Sequence, residues 1–467
     1  GNNLVVGAKN SNPEDKADAG SAYIYHVDSN ASTTLITKVT APDKAANDQF
    51  ATSVLMSSNK LFIGTPKAHA GGLNDSGSVY IYKNEANGTT SLTSKINAPD
   101  MEAEDNFGVS ISYSDELLAV GAHFSDQDSK SKTGSVYLYN LDANGTATYL
   151  SKITAHDAAG GDEFGTNVLL HENFLIISSI KSDSPGISDA GAVYIYQYES
   201  NGSVNFKTKL TAPDMATNDQ FGISISASEH FVAIGAHNSG HASAGAAYIY
   251  RLESNGSATF ETKILHDGGK DWFGRSLSIS ERLLAVGAWG SDPTTGGRAG
   301  TIDLFQLEDN GSATHLIEIF APDASAGDNF GFSVSLSGNI LSVGARNHSP
   351  ESVINAGAVY TFDISSFLPN YTPLTDANFQ NAVNLWFSDE ANATATYGHI
   401  SDWNTSAVTN MYNAFRNRNS FNEDISDWDV SSVTNMSYMF HSASSFNMPI
   451  GDWNVSSVVN MQDMFNG

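Results

Sequence analysis

One feature constrains this chain more than any other: it repeats. A Gly-Ser/Ala-x-Tyr-like motif recurs at Gly20, Gly77, Gly134, Gly191, Gly245, Gly300 and Gly357, at spacings of 57, 57, 57, 54, 55 and 57 residues. An apolar run ending in Gly-Ala keeps step with it at Gly7, Gly64 (followed by Thr65), Gly121, Gly235, Gly287 and Gly344, with Ser178 at that place in one unit. A third anchor is Phe-Gly, at Phe107, Phe164, Phe221, Phe273 and Phe330, with Phe50-Ala51 as a variant. Three anchors in register define an array of supersecondary units that bury their core by stacking on one another.

Inside a unit the apolar residues alternate with period 2 in short runs. One unit reads Phe107-Gly108-Val109-Ser110-Ile111-Ser112, turns, and continues Leu117-Leu118-Ala119-Val120-Gly121-Ala122. A polar loop leads to Gly134-Ser135-Val136-Tyr137-Leu138-Tyr139, and Asn144-Gly145 turns the chain into Thr148-Tyr149-Leu150-Ser151-Lys152-Ile153. Such runs, rich in Val, Ile and Tyr and punctuated by Gly and Asn, predict four strands, A to D, per unit. The 40 glycines and a charged content of only 16% suit turn-rich β structure better than helix bundles. Four antiparallel strands repeated about an axis make a β-propeller, and seven Gly anchors predict seven blades over residues 1–367. The strand order starts with B and ends with C, so the first blade lacks A and the last lacks D. An open blade needs a pairing strand, from further sequence of the same chain or from a neighbouring protomer. The chain starts at Gly1 and begins and ends inside repeats, so it reads as a piece of something longer.

These units resemble the FG-GAP repeats of integrin α-chain head domains, and more closely the second FG-GAP type of large microbial surface proteins. The residues that carry the resemblance include Ala212-Pro213-Asp214, Asp219-Gln220-Phe221-Gly222, Ile234-Gly235-Ala236 and Gly245-Ala246-Ala247-Tyr248. It implies a seven-bladed propeller used for extracellular binding or assembly. It also implies an Asp-x-Asp-x-Asp-Gly calcium loop in each A–B hairpin. Here those hairpins are short, as in Ser57-Ser58-Asn59-Lys60, Ser114-Asp115-Glu116 and Ser280-Glu281-Arg282, and lack the six or more oxygens calcium prefers.

Acidic residues concentrate elsewhere. The D–A connections keep two aspartates five residues apart: Asp43/Asp48, Asp100/Asp105, Asp157/Asp162, Asp214/Asp219 and Asp323/Asp328, with Asp267/Asp271 in a shorter copy. They read as weak calcium sites, for which Asp100, Asp105, Asp214 and Asp219 are candidates, or as side chains capping backbone N–H groups of a turn. Repetition in every blade favours the turn. Asp126 and Asp128, in a B–C loop where acids are local rather than repeated, are further calcium candidates.

Asn-x-Ser/Thr triplets fall in the C–D hairpin of six consecutive units, at Asn30, Asn87, Asn144, Asn201, Asn255 and Asn310. Five are Asn-Gly, which suits a two-residue hairpin turn with positive φ. Ser or Thr follows in all six, including Asn30, where Ala31 replaces Gly. In a eukaryotic secreted chain these would form a ring of N-glycans. Further acceptors are Asn74, Asn370, Asn392, Asn404, Asn435 and Asn454. In an up-and-down blade the C–D hairpins lie on one face and the B–C and D–A loops on the other, so partner contacts are expected on the glycan-free face.

After Phe367 the register stops. Residues 368–375, with Leu368-Pro369-Asn370-Tyr371-Thr372-Pro373, read as a linker, and Asp376 as the cap of an amphipathic helix bearing Phe379, Val383, Trp386 and Phe387. A second repeat, of period 25, then runs through Trp403, Trp428 and Trp453. Residues 425–447, from Ile425-Ser426-Asp427-Trp428 through Met439-Phe440 to Phe446-Asn447, resemble the BspA-like repeats of surface proteins. The resemblance covers about residues 376–467 and implies cell-surface adhesion. A leucine-rich-repeat-like α/β solenoid, a short strand and a helical turn per unit, is the expected fold. The array is expected to continue. The row Met436, Met439, Phe440, Met461, Met464 and Phe465 is expected to form its core.

Composition bounds the chemistry. A net charge of −28 makes nucleic acid and anionic lipid poor partners. The absence of cysteine excludes disulfides and thiolate chemistry. No run approaches a membrane span. No Gly-x-Ser-x-Gly elbow, His-Glu-x-x-His, P-loop or dinucleotide fingerprint is present. The expectation is a non-enzymatic extracellular or cell-surface glycoprotein without a required cofactor, calcium being the one candidate. It would be a structural subunit of a surface assembly or filament, contacting its own copies or other extracellular proteins. The alternative is an adhesion module binding carbohydrate or protein through the B–C and D–A loops.

Overall fold

The computed structural model describes residues 3–84, 89–228, 230–240, 244–266, 271–292, 297–308, 311–350, 353–368, 371–426 and 428–467. The chain forms two compact units, residues 1–367 and 368–467. In the first, the described strands make seven antiparallel sheets, the blades of a propeller. Blade 3 is representative, with A at Ile111–Ser114, B at Leu117–Ala122, C at Ser135–Leu141 and D at Ala147–Ile153. The A strands of successive blades neighbour one another and form the inner ring.

The anchors are the joints between blades. Gly134, at φ +84°, bridges to Phe164 of the next blade, and the same bridge joins Gly20 to Phe50, Gly77 to Phe107 and Gly245 to Phe273. Phe107 is fully buried and lies edge-on to Tyr137, ring centroids 5.5 Å apart, a geometry repeated by Phe164 with Tyr194 and Phe221 with Tyr248. The apolar face of each blade thus fills the space against its neighbour.

Two blades have three strands. Blade 1 holds Asn3–Ala8, Ser21–Val27 and Thr33–Val39, the B, C and D strands, and blade 7 holds A, B and C at Phe330–Ser337, Ile340–Ala345 and Ala358–Asp363. The B strand of blade 1 is partly exposed, whereas Leu117–Ala122 is buried along its length. The ring nevertheless closes: the Thr361 hydroxyl of blade 7 donates to the Ala31 carbonyl of blade 1 at 2.6 Å.

The C–D turn differs from expectation. Ala31 N–H bonds the Asp28 carbonyl and Asp28 N–H the Ser32 carbonyl, both at 2.9 Å, so three residues rather than two make the loop. Only the residue after Asn has positive φ: Gly145 at +84°, Gly202 at +81° and even Ala31 at +62°. The Asn instead turns its own side chain inward, Asn30, Asn201 and Asn255 each accepting the N–H two residues on.

The second unit departs further. Helices α1 (Phe379–Ser388) and α2 (Glu390–Tyr397) precede the repeats, and the described residues of the repeats hold neither helix nor ladder, only a short 3₁₀ turn and two isolated parallel bridges through Asn410, Asn435 and Asn460. The expected strand-and-helical-turn solenoid is therefore corrected to a stack of turns. N–H groups of Met411, Asn413, Phe415 and Asn417 donate to carbonyls of Asn435, Ser437, Met439 and His441 one coil on. With alternate N–H groups committed to the next coil and Asn413 and Asn417 left-handed (φ 61° and 63°), a helix cannot propagate. Phe415, Phe440 and Phe465 stack with centroids 5.5 Å apart. Met436, Met439 and Met464 are core, but Met461 and Phe465 are exposed.

Asp376 is not a helix cap. Its carboxylate accepts the N–H groups of Thr409 and Asn410 and the Thr409 hydroxyl, tying the pre-helical segment to the first coil. Nor is 368–375 merely a linker, since Leu374 is buried in the core of this unit with Phe379 and Trp403.

Candidate functional site at one mouth of the propeller

The paired aspartates have distinct tasks. Asp100 accepts the Tyr137 hydroxyl at 2.8 Å and the Lys152 ammonium at 2.7 Å, and the ammonium also sits over the Tyr137 ring. Asp214 does the same with Tyr248 and Lys263. Burial opposes the charge of Asp100, but the hydrogen bonds from Lys152 and Tyr137 outweigh it and hold the carboxyl below its usual range. The second aspartate closes the turn: Asp105 accepts the Glu102 N–H at 2.7 Å and Asp219 the Ala216 N–H at 2.8 Å. Burial pushes Asp105 up to about 6. Asp126 accepts the Lys132 N–H, and Asp128 is exposed. Among the described residues no three His, Asp or Glu side chains are spaced to hold a metal ion. Of the calcium candidates, Asp100 and Asp214 act as latches, Asp105 and Asp219 close turns, and Asp126 caps a loop N–H. The sequence signal for the latch was available, because Tyr80, Tyr137, Tyr194 and Lys95, Lys152, Lys209 keep the 57-residue step.

Strand direction sets the faces. Asn30, Asn144, Asn201 and Asn255 are exposed in C–D turns, at the opposite end of the strands from the Asp-x-Phe-Gly loops. Asn87, Asn310 and Asn370 lie outside the described residues. Asn74 is exposed in a B–C loop, on the other face. In the second unit Asn392, Asn404 and Asn454 are exposed, while Asn435 is half-buried and Ser437 of its triplet is buried.

At the loop face, the residues just after Phe-Gly and just after Gly-Ala meet around the mouth of the central channel. In blades 5 to 7 and 1 these are His237, Arg275, Trp289, Phe332, Arg346 and Lys9. Trp289 stacks on Trp272 at 4.5 Å with an interplanar angle of 12°, and Arg298 covers the far side of the pair, 4.6 Å from the Trp272 centroid. Arg346 and Arg275 both pack on the Phe332 ring, at 4.2 and 5.1 Å. Trp272 has φ +50°, at a position where other blades carry Gln49, Asn106, Glu163, Gln220 and Asn329. A bulky aromatic there is a strained choice, and strain of this kind marks sites held for function.

The electrostatics are as unusual. Lys67 and Lys181, nearby in the B–C loops, are paired with Asp75 and Glu163 at 2.8 and 2.7 Å. Lys9, Arg275 and Arg346 have no carboxylate partner among the described residues. Burial, then the Arg346 and Arg275 guanidinium groups, lower the pKa of Lys9, and burial and Arg346 lower that of Arg275. The Trp289 indole nitrogen and the His123 and His237 Nδ1 atoms are buried without a hydrogen-bond partner. Burial lowers both histidines to about 4, so they are neutral at pH 7. None of these residues was singled out by sequence, because they vary between repeats; the available signal was the variable position flanked on one side by an invariant anchor.

Blade 6 replaces the latch. Asp303 stands where other blades have Tyr and Glu318 where they have Lys; Asp267 lies outside the described residues. His266 supplies the counterion, 3.0 Å from Asp271, 3.5 Å from Asp303 and 3.6 Å from Glu318, and His315 bonds Asp303 at 2.8 Å. Burial opposes protonation of His266, but Asp303, Asp271 and Glu318 prevail and raise its pKa. The pKa of Asp303 is raised too, by burial. A raised folded-state pKa contributes stability below the unfolded value, about 6.5 for His, and loses it as pH rises. The stability difference between wild type and His266→Gln should therefore shrink as pH is raised from 6 to 8 in urea titrations; a pH-independent difference would contradict this.

The family described as FG-GAP repeat matches residues 33–82, 90–139, 148–196, 204–250, 261–305 and 314–362, more than half of the chain. The family described as Mycoplasma protein of unknown function, DUF285, matches residues 381–467. No curated protein matches. Among solved structures, the chain is similar to a protein from Lactobacillus plantarum, with 14% identity and a TM-score of 0.43 over 67% of this chain and 82% of that one. It is also similar to the periplasmic gluconolactonase PpgL of Pseudomonas aeruginosa, with 15% identity and a TM-score of 0.46 over 77% of this chain and 96% of that one.

Proposed function

The chain belongs to the FG-GAP repeat family, and from that premise we propose that it is a non-enzymatic extracellular or cell-surface protein whose propeller binds a ligand at the mouth formed by the B–C and D–A loops. The observation that carries this reading is the group of cations at that mouth, Lys9, Arg275 and Arg346, without a carboxylate partner among the described residues, on a chain of net charge −28. Three like charges gathered without a carboxylate, the half-buried Arg275 among them, repel one another, and an anionic partner offsets that cost. The neutral His237 beside Arg275 supports binding over chemistry, since a group with pKa about 4 is a poor general base at neutral pH.

The opposite face carries the glycans in this reading. Glycopeptide mass spectrometry of native material should find Asn30, Asn144, Asn201 and Asn255 occupied; unmodified peptides at all four would remove the glycan ring. For binding, protein and glycan arrays probed with the full chain should give signals that vanish when the B–C loop 290–299 and Trp289 are replaced. Signals that survive would sink the mouth as the binding surface.

A second reading, a subunit of a surface assembly, has its own observation. The strands that blades 7 and 1 lack, D and then A, follow one another in the repeat, so one D–A segment could pair with both open edges. Electron microscopy of native material showing fibres or lattices would favour it, and dispersed monomers would count against it.

A further inference from the structure

The mouth also specifies the chemistry of what it binds, and this inference rests on the binding role just proposed. The aromatic rings are not free platforms. Trp272 has Trp289 on one face and Arg298 on the other, and Phe332 serves Arg275 and Arg346. Guanidinium groups stacked in this way keep their N–H edges available, and those edges match an oxyanion. Arg346 and Lys9 are exposed, so the edges reach solvent. Neutral amides adjoin them: Asn329 donates toward the Trp289 carbonyl at 3.4 Å, and Asn347 donates to Asn329 at 2.6 Å. The B–C loops of blades 3 and 4, on the same face, bear the exposed carboxylates Asp126, Asp128 and Asp183 against the exposed cations Lys130 and Lys132, a rim that stays net negative. Such a rim repels a densely charged polyanion or an acidic peptide but tolerates hydroxyl-rich chains with sparse charge.

We propose that the mouth binds a saccharide carrying a single acidic group, its carboxylate or sulfate held by Arg275, Arg346 and Lys9 and a hydroxyl by Asn347, which the buried Asn329 positions. The site therefore discriminates by charge number as well as by charge sign.

Titration of the full chain with four probes tests this: a glucose tetrasaccharide ending in one glucuronate, its singly sulfated analogue, the neutral tetrasaccharide and tetraglutamate. At least one acidic tetrasaccharide should bind, more weakly as salt is raised, and about tenfold or more weakly in Arg346→Gln and in Lys9→Gln. Both variants alter exposed side chains and should fold; Arg275→Gln, checked by circular dichroism, should match them. Lys207→Gln, on an outer strand, should leave binding unchanged. Equal binding of the neutral sugar, or tighter binding of tetraglutamate, overturns the ligand class, while array signals that still depend on the mouth would leave its binding role standing. An equal loss in Lys207→Gln, or no binding by either acidic sugar, overturns the site.

Discussion

Gly134→Ala should destabilise the propeller far more than Gly357→Ala, although both glycines occupy the same place in the repeat. A Cβ on Gly134 would lie 2.0 Å from the Phe164 carbonyl oxygen and 2.4 Å from its nitrogen, both backbone atoms of the next blade. Neither can yield without breaking the Gly134–Phe164 bridge. Gly357 has φ +77°, but its nearest neighbour would be the Arg346 carbonyl oxygen at 3.2 Å, because blade 1 supplies no A strand there. Gly357→Ala should therefore cost only the left-handed backbone penalty, roughly 1–2 kcal/mol. Gly134→Ala should add overpacking, for roughly 3–5 kcal/mol in all. Urea unfolding of the full chain, followed through the propeller's tyrosines, measures both. Equal losses would mean that the inter-blade joint is not where the anchor acts.

Trp428→Ala should be the most damaging single truncation in the second unit. Trp428 stacks on Trp403 at 5.9 Å and meets the edge of Phe379 at 5.7 Å, and its indole N–H donates to the Ile400 carbonyl at 2.8 Å. Truncation removes a buried aromatic and the indole hydrogen bond, leaving the Ile400 carbonyl only the longer bond from Trp403 N–H, together roughly 3–5 kcal/mol. In a solenoid each coil rests only on its neighbours, so the loss spreads along the stack. Hydrogen exchange should show reduced protection of the amides of Met411, Asn413, Phe415 and Asn417, which donate into the following coil. Full protection at these four amides in the variant would show that the stack does not depend on Trp428.

Much of the propeller was legible because its constraints are local and repeated. Phe107, Gly121 and Gly134 each report a contact made by most copies, so backbone geometry shows as spacing. Asp105 was legible as a turn residue for the same reason. Asp100 was half-legible: its loop showed, but its Tyr137 and Lys152 partners, 37 and 52 residues on, belong to strands that read only as β structure. The C–D loop was misjudged because Asn-Gly serves two turn types, and the partner of Asp28 N–H decides between them. In the second unit, period 25 announced stacking but not the backbone within a coil.

The sequence by itself determined the repeat, the number of blades, the strand alternation and the boundary after Phe367. Each depends on short-range patterning that recurs until chance is excluded. Only the tertiary structure decided that Lys9, Arg275, Trp289, Phe332 and Arg346 form one mouth, and that the repeats after Trp403 are stacked turns. The physical reason is shared. Side-chain periodicity records which face of a segment is buried, whereas a site or a coil path depends on which segments closure of the ring or stack brings together. Those segments lie tens of residues apart around the propeller, or hundreds in the case of Lys9, and one coil apart in the solenoid, where hydrogen-bond partners leave no periodic mark.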